Sequence, residues 1–234
     1  MVYNKKMQSN RVSIYIDGSN FYYLVLKKLG LDERQFNFEK FAIFLANGRI
    51  IPDKCKRFYT GTVREKEGDI RSIEAMSKQN SLFTSLKNNN WELKTSKLKK
   101  RIEEIIIDSR TINYKNLLKL GIEKIETERL REKGIDVKLA TDLIVGAVDD
   151  KYDVAIIVSS DSDLIPAIDW VRHRKKKIIE YVGFSIPDEL NPDHSTFPLI
   201  SLIAKVDIPR TLIESDLRPF IIPTLFNKGS KKEN

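Results

Sequence analysis

"DVAIIVSS", residues 153–160, sets five apolar residues in a row between an aspartate and two serines. A strand with one wet face alternates apolar and polar residues. An unbroken Val/Ile run bounded by polar residues instead fits a strand covered on both faces, as in a parallel sheet flanked by helices. The neighbouring segments agree. Upstream, "IDVKLATDLIVGAVDD" (135–150) places Leu139, Ala140, Leu143, Ile144, Ala147 and Val148 on one face of a helix. Downstream, "SDLIPAIDWVRHR" (162–174) reads as a helix and "KIIEYVG" (177–183) as another strand.

The first half of the chain has the same rhythm. "VSIYID" (12–17) alternates as a strand, and Ser19 or Asn20 is placed to cap a helix running through "FYYLVLKKLG" to Gly30. "FNFEKFAIFLANG" (36–48) has helical spacing at Phe38, Phe41, Ile43, Phe44 and Leu45 and a stop at Asn47 and Gly48. Strand, helix and strand follow in "CKRFYTGTV" (55–63), "IRSIEAMSKQNSLFTSLKNN" (70–89) and "WELKTSKL" (91–98). The expected fold is an α/β three-layer sandwich with a mostly parallel central sheet. Residues 97–132 break the pattern with both signs of charge and a short apolar "IIID", and read as an inserted hairpin with a surface helix. The expected organisation is one domain over 1–183 containing that insertion. A C-terminal extension over 184–234 packs on it, with short elements, concentrated prolines and a frayed basic tail "NKGSKKEN".

Composition narrows the function classes. The 234 residues carry 41 Lys and Arg against 33 Asp and Glu, a formal charge of +8, which concentrates polyanions near the surface and makes nucleic acid the first partner to consider. The single Cys55 makes neither an internal disulfide nor a Cys-rich zinc site, which fits a reducing compartment. The leading "MVYNKKMQSNR" is charged, and no run approaches the ~18 apolar residues of a spanning helix, so a cytoplasmic protein is expected.

The chemistry is expected where strands end on acids. Asp17 closes the first strand, and Asp161 and Asp163 follow the strand read over 154–159. In a doubly wound sheet, ligands bind outside the carboxyl ends of the strands, near the switch in strand order. Asp142 sits among apolar neighbours on its helix, where a carboxylate needs a metal or a hydrogen-bond partner, Lys138 one turn earlier being one candidate. Oxygen-rich acid clusters suit Mg²⁺ or Mn²⁺. Helix capping accounts equally for "DGSN" and "SSDSD", and Asp136 suits a first helical turn.

Taken in order, "VSIYIDGSN", "KGIDVKLATDLIVGA", "DVAIIVSSDSDLIPAI" and "KKKIIEYVG" resemble the NYN domain, a branch of the PIN-like nucleases, in the group with KGxDVxLAxD and SxDSD motifs. The resemblance spans residues 11–183, apart from the insertion. It implies a PIN-like sandwich and a ribonuclease site in which Asp17, Asp142, Asp161 and Asp163 hold Mg²⁺ or Mn²⁺, with Asn20 matching the polar residue after the first acid. Two departures are Ser160 in place of a glycine and Leu164 in place of an aromatic. Asn20, Ser159, Ser160 and Lys138 are the candidate substrate-binding residues. The basic runs "KLKKR" (97–101) and "RHRKKK" (172–177) are candidate phosphate tracks, the second equally a helix C-terminus complementing its dipole. Tyr22, Tyr23 and Trp170 stack on bases or belong to the core. RNA is the expected partner and a homodimer is possible. A non-catalytic RNA-binding or regulatory protein is the alternative. A dehalogenase-like phosphotransferase wants a second acid where Ser19 stands, a phosphorelay receiver lacks its paired acids, and no glycine-rich dinucleotide fingerprint follows the first strand. Asp108, ending "IIID", ranks below the other acids.

Overall fold

The computed structural model describes residues 11–63, 69–97, 99–131, 134–188 and 191–223. In chain order the elements are β1 (Val12–Asp17), α1 (Gly18–Phe21), α2 (Phe38–Ala46), β2 (Lys56–Thr62), α3 (Ile70–Asn88), β3 (Glu92–Lys97), β4 (Lys99–Ile106), α4 (Tyr114–Lys119) and β5 (Lys124–Arg131). There follow α5 (Ile135–Val148), β6 (Val154–Val158), α6 (Ile165–Trp170), β7 (Ile178–Ser185), α7 (Ile200–Ile203), β8 (Ile208–Ile213) and α8 (Glu214–Leu217). Six strands form one sheet in the order β3-β2-β1-β6-β7-β8, and each pairing in it is parallel. Strand order grows outward in both directions from the β1/β6 pair, the switch point of a doubly wound sheet. The α/β sandwich expected from the Val/Ile run is the observed fold.

β1 and β6 are buried along their whole length, and their side chains serve two cores. Val12, Ile14, Ile16, Val154, Ile156 and Val158 join an aromatic-rich layer that includes Phe21, Phe38, Phe41, Phe184 and Phe220. Tyr15, Ala155 and Ile157 face the other way, onto Leu139 and Leu143 of α5 and Ala167 and Ile168 of α6. This two-sided burial is why the run shows no polar interruption. Each fully buried side chain of this size contributes roughly 1.5–3 kcal/mol.

Local signals were obeyed with instructive exceptions. α2 begins at the Asn37 cap and ends at Asn47, which adopts the left-handed conformation at φ 49°; Ile43, grouped with its apolar stripe, is exposed. The helix expected to run from a Ser19 or Asn20 cap to Gly30 is instead a single turn, α1, capped by Asp17 and continued by a wider turn in which Lys27 N–H reaches Tyr22 O at 2.8 Å. On α5, Leu139, Leu143 and Ala147 are buried as expected while Val148 is exposed. Within the segment read as an insertion at 97–132, residues 99–131 form a hairpin, β4 against β5, with the short α4 between them.

The segment after residue 184 is more than loops. β8 pairs with β7 in parallel as the sixth strand, and Leu212, Leu217 and Phe220 enter the aromatic core. The charged N-terminus and the "NKGSKKEN" tail lie outside the described residues.

Candidate functional site

β1 and β6 run parallel in register, so their carboxyl ends lie side by side at the switch point. β1 ends there on Asp17, a carboxylate only 6% exposed. Its Oδ1 accepts the N–H of Asn20 at 3.0 Å, the hydrogen bond that caps α1. Its Oδ2 accepts the hydroxyl of Ser159 at 3.4 Å. Ser159, just past the end of β6, in turn accepts the Asp161 N–H at 3.3 Å on its oxygen. A second bridge ties the same two strand ends together: the Ser160 N–H donates to Asn20 Oδ1 at 3.0 Å. The Ser160 hydroxyl meets the Tyr181 hydroxyl at 3.0 Å, so the serine that replaces a glycine is turned onto β7.

Asp161 caps the turn that leads into α6, its Oδ1 accepting the Asp163 N–H at 2.8 Å. Capping and site formation are therefore not competing explanations for these acids. Asp17 and Asp161 each use one oxygen, Oδ1, to hold a turn, and those turns fix the carboxylates at the mouth between the strands. Asp163 lies exposed on the rim of the same turn.

Asp142 is held differently. α5 covers the face of the sheet that carries Tyr15 and Tyr59, and Tyr59 is the β2 residue paired in register with Asp17. The Tyr59 hydroxyl donates to Asp142 Oδ2 at 2.8 Å, and Arg57 Nη1 and Lys94 Nζ each stand 3.7 Å from that oxygen. Arg57 also donates to the Asp142 carbonyl at 3.2 Å. The helix acid thus lies one strand over from Asp17, engaged by a phenol and two cations. Burial, and after it the neighbouring Asp142 charge, push the Tyr59 phenol strongly up, so it remains a donor across the neutral range. Burial also raises Tyr15, to about 12.

The partner suggested for Asp142 in sequence, Lys138, turns away: its Nζ donates to the Thr95 carbonyl at 2.5 Å. Among the described residues no three His, Cys, Asp or Glu side chains stand grouped so as to hold one metal ion. The Ser159 hydroxyl bonds the Asp17 carboxylate and accepts the backbone N–H of Asp161; Asp142 is held apart from them by Tyr59, Arg57 and Lys94.

Other expectations fall away from this pole. "RHRKKK" immediately precedes β7 and therefore lies at the amino ends of the strands, opposite Asp17; there Arg172 pairs with Asp207 and Lys177 with Asp150. In "KLKKR", the side chains at 97–100 lie outside the described ones. Trp170 packs against the α5/α6 core and Tyr22 against the aromatic one, while Tyr23 is exposed. Asp108 is bound by Arg110 in the hairpin connection, which holds its carboxyl below the usual range. Cys55 is buried, and burial pushes its thiol up.

Sequence reasoning missed Arg57, Tyr59 and Lys94. A signal was present: in "KRFYTG" Arg57 and Tyr59 are two apart and so share a face, but only the β1/β2 pairing tells which face and which neighbour.

The comparisons with known proteins come to the same place. No curated protein matches the chain. Among solved structures it is similar to a protein of unknown function from Vibrio parahaemolyticus, at 15% identity with a TM-score of 0.52, over 92% of this chain and 97% of that one. At that identity the likeness concerns the fold. The family model for the NYN domain matches residues 11–197, through all the strand ends just described and beyond the 183 boundary. With its parallel sheet and its acids at the switch point, the chain belongs to the NYN domain family, a PIN-like nuclease family, which suggests ribonuclease activity and RNA binding.

Proposed function

We propose that this protein is a metal-dependent ribonuclease that hydrolyses RNA phosphodiester bonds at the carboxyl ends of β1 and β6. The observation that carries the reading is the buried Asp17 carboxylate at the switch point, tied through the Ser159 hydroxyl to the backbone N–H of Asp161, in a chain of a nuclease family. Mg²⁺ and Mn²⁺ take hard oxygen donors, keep several waters and need only one or two direct carboxylates. Asp17 and Asp161 fit that demand, with Asp163 on the rim reaching through water. Asp142 fits a direct role less well, because its Oδ2 already accepts the Tyr59 hydroxyl and faces two cations. A bound ion supplies a water of lowered pKa and neutralises charge on the leaving oxygen.

This chain's own residues do the rest. Asn20 and Ser159 fix the Asp17 carboxylate, so its orientation is prepaid in folding rather than at the moment of reaction. Lys94 and Lys138 lie on the α5 and β3 side of the mouth and supply positive charge for a phosphate backbone. Asp142 faces Arg57 and, together with the nearer Glu92 at 3.2 Å, Lys94.

The test is cleavage of single-stranded RNA with Mn²⁺. Asp161→Asn and Asp17→Asn should each lower the rate at least ~100-fold, in the range of losing a main contributor to transition-state stabilisation. Undiminished cutting by both variants would refute the assignment. The second reading, an RNA-binding protein without turnover, draws on the missing three-acid group among the described residues. RNA bound by the wild type with no cutting in either metal selects it.

A further inference from the structure

The β4–β5 arm, residues 99–131, carries nine bases and six acids, and the two are segregated along it. Its root, residues 99–101 of β4 and 129–131 of β5, holds five of the bases and none of the acids. Farther out, acids and bases engage each other: Lys124 is bonded to Glu104 and Glu126, and Arg110 to Asp108. Register sharpens the contrast. Lys99 pairs with Arg131 and Arg101 with Arg129, and residues opposite each other, or two apart along a strand, share a face. These four bases therefore occupy adjacent positions on one face of the ribbon, followed there by Glu103 and Thr127. Like charges directly opposite each other destabilise a ribbon, and a polyanion laid along that face relieves the repulsion.

Topology sets where the root stands. β3 is parallel to β2 and β1, so its end at Lys97 lies at the pole of Asp17; β4 starts at Lys99, and β5 ends at Arg131, shortly before α5 begins at Ile135. Two strand spacings, about 10 Å, separate the ends of β1 and β3. Cations bridge that interval. Lys94 lies on the register row that runs from Asp17 through Tyr59, and Lys138 of α5 is bonded to the Thr95 carbonyl of β3. We propose that the root of the arm is a phosphate clamp that holds the flank of a single-stranded RNA whose scissile bond lies at the switch point. The substrates are then RNAs that continue for several nucleotides beyond the cut on the β3 side; what happens at the cut itself rests on the nuclease reading above. Continuity selects RNA over a compact anion: base pairs of the ribbon face repeat about every 7 Å along the strands, and together with Lys94 and Lys138 they form a line rather than a pocket. A line of positive charge fits a phosphodiester backbone.

Fluorescence anisotropy of a labelled oligouridylate, titrated in EDTA so that metal-dependent cutting is absent, tests the clamp across a salt series. Lys99→Gln, Arg101→Gln, Arg129→Gln and Arg131→Gln together should flatten the slope of log Kd against log salt by about 2.8, at about 0.7 for each of four phosphate contacts on a single strand. The affinity gap between wild type and variant then narrows about 50-fold from roughly 50 to 200 mM salt. Arg101→Gln with Arg129→Gln alone should give half the change in slope, and decides the matter if circular dichroism shows the fourfold variant to be misfolded. Arg174→Gln, Lys175→Gln, Lys176→Gln and Lys205→Gln remove the same formal charge at the amino ends of the strands and should leave affinity and slope near wild type. An unchanged slope in the root variants, an equal loss in the amino-pole variant, or a wild type that binds no RNA overturns the proposal. Cutting with Mn²⁺ is measured separately. Asp161→Asn should bind in EDTA at least as tightly as the wild type while failing to cut, so failure of the clamp and failure of the nuclease reading are distinguishable.

Discussion

Replacing Tyr59 by phenylalanine removes one hydroxyl from the centre of the α5 interface and leaves the ring in place, stacked on Tyr15 at 6.4 Å between centroids. That hydroxyl is 2.8 Å from Asp142 Oδ2. A hydrogen bond to a charged group contributes about 1.5–3 kcal/mol. Asp142 is 24% exposed and keeps Arg57 and Lys94 at 3.7 Å, so water and the cations offset part of the loss. The lower end applies, about 1.5 kcal/mol. For a chain of this size that lowers the Tm by about 3–6 °C. The measurement is urea unfolding of the wild type, Tyr59→Phe, Asp142→Ala and the double variant, with the m-value constant across the four. The cycle should return a coupling energy of about 1 kcal/mol, well outside the ~0.3–0.5 kcal/mol scatter of independent sites. Because burial and Asp142 keep the phenol protonated, the coupling should be the same at pH 6 and pH 9. A coupling within that scatter, or one that vanishes between those two pH values, would refute the claim that this hydrogen bond anchors the helix acid.

Two further outcomes follow from the same coordinates. Gly18→Ala would set a Cβ 2.4 Å from the ring of Phe58, itself fully buried and packed 5.0 Å from Phe38 between centroids; overpacking of this kind costs about 1–3 kcal/mol, read as a lower urea midpoint, and RNA cleavage should fall with it because Asp17 caps the displaced turn. Arg11 holds the Asp153 carboxyl below the usual range through paired hydrogen bonds of 3.1 and 2.7 Å. A carboxyl lowered on folding adds stability above its unfolded value of ~3.9 and loses it as pH falls through the lower folded value. The wild type should therefore lose stability below about pH 4 more steeply than Asp153→Asn, as followed by thermal unfolding across pH; equal slopes would exclude the pair as a contributor.

The sequence by itself determined the layers and which acids stand at the carboxyl ends of the central strands. A Val/Ile run with no polar residue has no wet face, so β6 had to lie between two cores, and helix–strand alternation around it left the parallel sheet as the economical arrangement. Position then did the rest: β1 and β6 end at one pole, where the Ser159 hydroxyl bonds the Asp17 carboxylate and accepts the Asp161 backbone N–H. These are short-range signals, written in adjacent residues. What only the tertiary structure decided is long-range. Asp142 is placed with the other acids by its match to the KGxDVxLAxD motif, while its apolar helix neighbours ask only for a metal or a hydrogen-bond partner; the partners it has, Tyr59, Arg57 and Lys94, come from β2 and β3, dozens of residues away, and no local pattern encodes which strand α5 will cover. β8 escaped notice for the same reason: "IPRTLI" is a weak strand alone, with most of its side chains outside the core, and becomes one because the β7 edge offers it a backbone ladder. Hydrogen-bond partners across a sheet are chosen by the register of whole strands, a property the chain acquires only when they have assembled.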